Sequence, residues 1–277
     1  SALEASSAFV HNGPAAAAEL ARRRPTYLWA HNRLFRTYSR TELARRVVAL
    51  AGIIAVSEYL AGTIEQRLSP LRDHPPVYVV RNGVDSELFR PGEGPLDPPI
   101  VLFLGRMVPE KGPDRVLRAA RRLLKSRRSF RVMMVGSAGF SATAPLTDYE
   151  RELRRLAAPI AEHVTFQPFL PRPEIPALYQ QAAIFCAPSN WDDPCPLTIG
   201  EAMASGLAVV TSRRGGIPEV GGDSVTYVDT DDELEAALAG LLDDEGQRQA
   251  HANAARRRAV RALDWETSYR SLRHAVG

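Results

Sequence analysis

Gly105-Arg106 and, four residues on, Glu110-Lys111-Gly112-Pro113 follow directly on the apolar run Ile100–Leu104. Such a run suits a strand covered on both faces of a parallel sheet, and Pro113 suits the first turn of a helix. In open α/β sheets ligands settle beyond the carboxyl ends of the strands. A helix N-terminus there offers free N–H groups and a partial positive charge. Arg106 and Lys111 would complete a site for a diphosphate, and Gly105 and Gly112 let backbone come close. A solvated turn with two surface cations is the alternative; the position beyond a strand favours phosphate.

Asp193 and Glu201 form a second constellation, in the stretch Asp193-Pro-Cys-Pro-Leu-Thr-Ile-Gly-Glu201. Asp193 falls in a loop after the strand expected at Ala183–Ala187, and Glu201 about one turn into the next helix. Leu197 and Thr198 begin that helix, so their amides face outward. Carboxylates accept hydrogen bonds from sugar hydroxyls; equally, an acidic cap and a helix Glu complementing the dipole would look the same. A third loop, Ser212–Glu219, follows the strand expected at Ala208–Thr211, and its Gly215-Gly216 pair permits close approach to a ligand or simply a turn. His31-Asn32 follows a strand in the first part of the chain. His31 there would contact phosphate or orient a hydroxyl, or be structural; His11-Asn12 has the same form.

Strands and helices alternate throughout, which predicts an α/β fold. Strands are expected at Ala8–His11, Tyr27–His31, Ile53–Ser57 and Val77–Arg81. Helices are expected at Ala15–Arg24, Thr41–Leu50 and Glu58–Leu68. The stretch Asn82–Pro99 is dense in Gly and Pro and reads as a linker, giving domains 1–92 and 93–262 and a C-terminal helix at 263–277. The second domain restarts with Ile100–Leu104. Further strands are expected at Arg131–Val135, His163–Gln167, Ala183–Ala187, Ala208–Thr211 and Val225–Val228. Helices are expected at Pro113–Arg127, Tyr149–Ala158, Glu174–Gln181, Leu197–Ala204 and Asp231–Leu242.

A net charge of +3 is too small to argue for nucleic acid. The two cysteines, Cys186 and Cys195, lack metal-like spacing and suggest reduced thiols in the cytoplasm. No apolar run reaches the roughly 20 residues of a bilayer span, which leaves only peripheral membrane contact open. Asp229-Thr-Asp231 is better explained by helix capping than by metal binding. No Gly-x-Gly-x-x-Gly or P-loop is present.

Taken in order, Gly105-Arg106 with Glu110-Lys111-Gly112, the acid-x7-Glu element ending in Glu201-Ala-Met-Ala-Ser-Gly, and Gly215-Gly216-Ile-Pro-Glu219 resemble the family 4 retaining glycosyltransferases. Asn82-Gly-Val-Asp85 with Phe89 and Pro91 resembles that family's interdomain segment. Asp264-Trp265-Glu266 resembles the start of its C-terminal helix. The resemblance implies a GT-B fold, two Rossmann-like doubly wound domains facing across a cleft, with the first domain incomplete upstream. It implies a metal-independent, cofactor-free hexosyl transfer from a nucleotide-sugar to an acceptor hydroxyl, and the Ala- and Arg-rich composition points to a natural product or a surface glycan as that acceptor. A UDP-sugar is the expected donor, ahead of a GDP-sugar. By position, Arg106 and Lys111 would grip the diphosphate, Glu201 the ribose and Asp193 the sugar. Gly105, Cys195, Leu197, Thr198, Gly215 and Gly216 would line the donor site, and His31 would stand near the reacting centre. Two departures bear on donor choice: Asp193 replaces a usual Glu, and Pro196, which has no N–H, a usual Gly. An epimerase of the same fold and a non-catalytic nucleotide-sugar-binding subunit are the alternative readings.

Overall fold

A computed structural model describes residues 7–94, 97–126 and 128–277. Ser1–Ser6 lie outside these residues, as do Pro95 and Leu96 of the expected linker and Arg127 at the end of an expected helix. The chain forms two compact units, one running to Asn82 and taking in Glu266–Gly277, the other Gly83–Trp265.

The first unit carries four parallel strands side by side in chain order: β1 (Ala8–His11), β2 (Thr26–Ala30), β3 (Gly52–Ala55) and β4 (Val77–Val79). Between them run α1 (Pro14–Leu20), α2 (Arg40–Val47) and α3 (Glu58–Leu68). Ser39 and Ser57 cap α2 and α3 by accepting the Glu42 and Leu60 N–H groups. α1 ends at Leu20, short of the expected Arg24. The chain leaves the helix through turn bonds such as Arg23 N–H to Leu20 O (2.9 Å), because a residue before Pro25 disfavours helical backbone.

The second unit holds β5 (Ile100–Leu104), β6 (Arg131–Val135), β7 (Val164–Gln167), β8 (Ile184–Ala187), β9 (Ala208–Thr211) and β10 (Thr226–Tyr227), all parallel. Their spatial order is β10-β9-β8-β5-β6-β7. The chain therefore reverses its direction of winding between β5 and β8, where a ligand crevice opens. Its helices are α4 (Pro113–Lys125), α5 (Asp148–Ala157), α6 (Ile175–Gln181), α7 (Leu197–Ala204), α8 (Ile217–Gly221), α9 (Asp231–Asp243) and α10 (Glu245–Ala262).

Alternate strand residues feed two cores, which is why these strands read as unbroken apolar runs. Val101, Phe103, Val132 and Cys186 pack with α4, α5 and α9 through Val116, Leu153 and Leu238. Ile100, Leu102, Phe185 and Val209 pack on the other face with α6, α7 and α10 through Tyr179, Met203 and Ala255.

The structure corrects two expectations. The division falls at Asn82–Gly83 rather than after residue 92, because Val84 and Phe89 are buried in the second unit's core. Arg256 also donates to the carbonyls of Ser86 (3.1 Å) and Phe89 (2.9 Å). The Gly- and Pro-rich stretch is thus shaped by its breakers without being released by them. Helix α10 was not foreseen. Its buried contacts are Ala252, Ala255 and Ala259, too small to stand out as an apolar stripe. Its Ala, Gln and Arg are nonetheless strong helix formers, and Asp244 caps it by accepting the Gln247 N–H (2.9 Å).

The last helix, α11 (Trp265–Val276), begins where Val84 bridges Asp264 and Ser86 Oγ donates to Asp264 (3.1 Å). From Glu266 on it belongs to the first unit, where Leu272 and Ala275 pack with Tyr27, Ile54 and Tyr78. Among the described residues no helix is long and apolar enough to cross a membrane.

Candidate functional site

The loops after β5 and β8 meet at the reversal of strand order and are braced to each other. Pro109–Lys111 form a single 3-10 turn, and Gly112 then adopts a left-handed backbone with φ +70°. A Cβ there would lie 2.3 Å from the Pro188 carbonyl oxygen, so only glycine lets the two loops press together. The Glu110 carbonyl accepts from the Asn190 N–H (2.8 Å) and the Ser189 hydroxyl (3.1 Å). This bracing presents Lys111 to Asp193 as an ion pair, with the ammonium 4.9 Å from the centre of the Trp191 ring.

Asp193 is buried, and its side chain also accepts the Cys195 N–H (3.3 Å). Its own carbonyl accepts the Gly216 N–H (2.8 Å). Gly215 has φ +55°, and a Cβ on it would stand 2.5 Å from the Asp193 oxygen. Gly215, read in the sequence with Gly216 as room for a ligand or a turn, is required here by the close approach of the third loop to Asp193.

Glu201, one turn into α7, is also buried. Arg172 donates to its Oε1 (2.9 Å) and the Tyr179 hydroxyl to its Oε2 (3.2 Å). Burial raises the carboxyl above its ordinary pKa, while Arg172 and Tyr179 pull it back. Burial, then the neighbouring Glu201, pushes the Tyr179 hydroxyl well up.

A cavity of about 280 Å³ lies beyond the carboxyl ends of β5, β6 and β7. It brings together five of the expected residues, Gly105, Arg106, Leu197, Thr198 and Glu201. Lys111, Asp193, Cys195, Gly215 and Gly216 form the adjoining cluster around Asp193 and do not line it. A Cβ on Gly105 would meet only the Phe103 ring at 3.6 Å, so packing does not require glycine at this cavity-lining position. Pro196 gives α7 no capping side chain, which leaves the first amides of the helix to a ligand. The far wall is apolar, with Phe169, Leu170 and the 79%-exposed Phe140.

Residues 85–258 match the family model of the glycosyl transferases group 1. The chain belongs to that family. It is 30% identical over 211 residues to a Bacillus subtilis protein named putative glycosyltransferase YtcC, across 71% of this chain and 52% of that one. It is 30% identical over 262 residues to spore coat protein SA of the same organism, across 86% of this chain and 68% of that one. The chain thus spans about half the length of the first relative and two thirds of the second. Among solved structures, Anabaena Alr3699/HepE in complex with UDP aligns with a TM-score of 0.77 at 21% identity, over 97% of this chain and 78% of that one. The fold is accordingly GT-B, built from Rossmann-like parallel sheets.

In this group 1 chain the remaining expected residue, His31, stands in the first unit at the end of β2. Its Nε2 lies 2.8 Å from Nδ1 of His11, and its main-chain N–H donates to Asn12 Oδ1 (2.8 Å). Burial, then His11, lowers its pKa. The Asp229-Thr-Asp231 stretch does cap α9, through a Thr230–Glu233 capping box, and Asp231 pairs with Arg115 and Arg118. Sequence reasoning missed Arg172, Tyr179 and Phe140. Arg172 sits between two prolines with no motif around it, and Tyr179 looks like an ordinary core residue of α6. An exposed Phe140 flanked by Gly139 and Ser141 was the one readable signal.

Proposed function

We propose that this chain carries out retaining, metal-independent transfer of a hexosyl group from a UDP-sugar to an acceptor hydroxyl. One arrangement carries the reading: Arg106, the uncapped start of α7 and buried Glu201 line one cavity, with the Lys111–Asp193 pair on the same two loops. The diphosphate suits Arg106, Lys111 and the α7 amides, which would stabilise charge on the leaving group. Glu201 has two of its roughly four acceptor sites engaged, which leaves it able to accept ribose hydroxyls. The apolar wall with Phe140 and Phe169 suits a nucleobase. Uridine is favoured by the likeness to HepE, which was crystallised with UDP. In this reading the diphosphate draws Lys111 off Asp193, and the freed carboxylate accepts hydroxyls of the sugar.

In the first unit, we assign His31 to the acceptor hydroxyl, with a natural product or a surface glycan as the acceptor class. The test is titration of the chain with UDP, GDP and their hexoses, followed by transfer assays and assignment of the anomeric configuration of the product. Binding of UDP that Arg106→Ala weakens, with retention of configuration in chelator, is the expected result. A chain that binds no nucleoside diphosphate, or inverts the anomeric centre, would sink the proposal.

A further inference from the structure

The sequence holds two His-Asn dipeptides of like form, at His11-Asn12 and His31-Asn32, and the parallel pairing of β1 with β2 brings the first onto the second. We propose that His11-Asn12 is a two-point clamp that positions His31, His11 holding the ring and Asn12 the backbone. The inference rests on the assignment of His31 to the acceptor hydroxyl.

The ring contact is direct, with Nδ1 of His11 2.8 Å from Nε2 of His31. At that distance one nitrogen donates and the other accepts, so the two rings share a single N–H between them. Their rings are near parallel, with centroids 5.1 Å apart and 15° between planes. Trp29 stacks on both, at 5.2 Å from His11 and 6.1 Å from His31. The register that sets His11 opposite Trp29 puts His31 two residues further along the same sheet face. Trp29 therefore fixes the plane of both rings, and the nitrogen pair fixes their rotation within it.

The backbone contact is separate. Asn12 accepts the His31 N–H (2.8 Å) and does so from a left-handed backbone with φ +52°. Asn tolerates that region better than most residues, but still at a cost. A strained residue aimed at the main chain of a candidate functional histidine is a positioning device rather than a packing one.

The clamp also adds to the effect of burial on the charge of His31. Protonating His31 would bring a second positive charge or an unshared N–H against His11, which disfavours its charged form. The neighbours of His31 on β1 and β2, Asn12 and Trp29, are uncharged. Arg33, further along its own loop, lies over the Tyr59 ring at 5.1 Å. Burial first, and then His11 as the ionisable neighbour, keeps His31 neutral to lower pH.

Imidazole nitrogen NMR on the 15N-labelled chain, run alongside transfer assays, tests the clamp with His11→Gln, His11→Phe and Asn12→Ala. In His11→Gln the His31 midpoint should rise. Transfer kcat should fall about 10- to 100-fold, as when the hydrogen-bond partner orienting a working imidazole is lost, with donor KM unchanged. Gln, which keeps a hydrogen-bonding group, should retain more activity than Phe, which keeps only the stack. An unchanged His31 midpoint and tautomer in His11→Gln, or equal activity of the Gln and Phe variants, would overturn the clamp. Full activity of His31→Ala would instead remove the assignment of His31, with the NMR result still deciding whether the two rings are coupled.

Discussion

Lys111 and Asp193, which the family resemblance assigns to the diphosphate and the sugar of a donor, are ion-paired with each other, the Lys111 ammonium lying over Trp191. The pair occupies the point where the β5 and β8 loops meet. Separating its partners should split binding from transfer. Lys111→Ala should weaken UDP binding by about tenfold or more, since a charge-assisted hydrogen bond contributes roughly 1.5–3 kcal/mol. Asp193→Asn, which releases Lys111, should bind UDP at least as tightly while transfer falls. Calorimetric titration and initial rates on the two variants and the double variant would check this. Weaker UDP binding by Asp193→Asn would show that the pair supports the site instead of holding its place.

Two glycines of the expected site should respond in opposite ways. Gly215→Ala forces a side chain into a left-handed backbone and against the Asp193 carbonyl. A destabilisation of about 1–3 kcal/mol is expected from the backbone alone, read as a fall in the midpoint of thermal unfolding. Gly105→Ala meets only the Phe103 ring at ordinary contact distance. It should leave the unfolding midpoint in place and weaken nucleotide binding, because Gly105 lines the cavity.

Glu201 gives the fold a pH dependence whose sign follows from its environment. Burial raises its pKa above the ordinary 4.5, against the opposing pull of Arg172 and Tyr179. A carboxyl raised on folding contributes stability that is complete below its unfolded pKa and lost as pH rises through the folded one. Glu201→Gln should remove that loss, so its unfolding midpoint should decline less than wild type between acid and neutral pH. Arg172→Ala should steepen the wild-type decline. Parallel slopes for all three chains would show that Glu201 is solvated in solution.

Phe140 lines the cavity yet is 79% exposed, and meets Phe169 edge-on at 6.1 Å. Its loop is held at both ends by Glu150, which accepts the N–H groups of Ala138 (3.0 Å) and Thr147 (2.7 Å). A base stacked on it would cover it. Phe140→Ala should therefore raise the UDP dissociation constant by about 5-fold or more, from a stacking contribution of roughly 1–3 kcal/mol, with unfolding unchanged. Equal affinity for UDP and for a diphosphate lacking its base would count against that stacking.

The parts readable from sequence are those whose signal repeats within a few residues. Ile100–Leu104 and Ile184–Ala187 sit on two-sided strands, and that burial writes itself as an apolar run. Leu197–Ala204 and Glu201 within it follow from helical spacing after Pro196. The same locality explains the loss of α10, whose contact face is alanine. Partner choice was decided only by the tertiary structure. Lys111 and Asp193 are 82 residues apart, and they meet because β8 lies against β5 and Gly112 lets their loops touch. Arg172 and Tyr179 reach Glu201, and His11 reaches His31, by the same cause. Strand order sets which loops are neighbours, and a side chain's hydrogen-bond partner depends on that order rather than on the residues beside it in the chain.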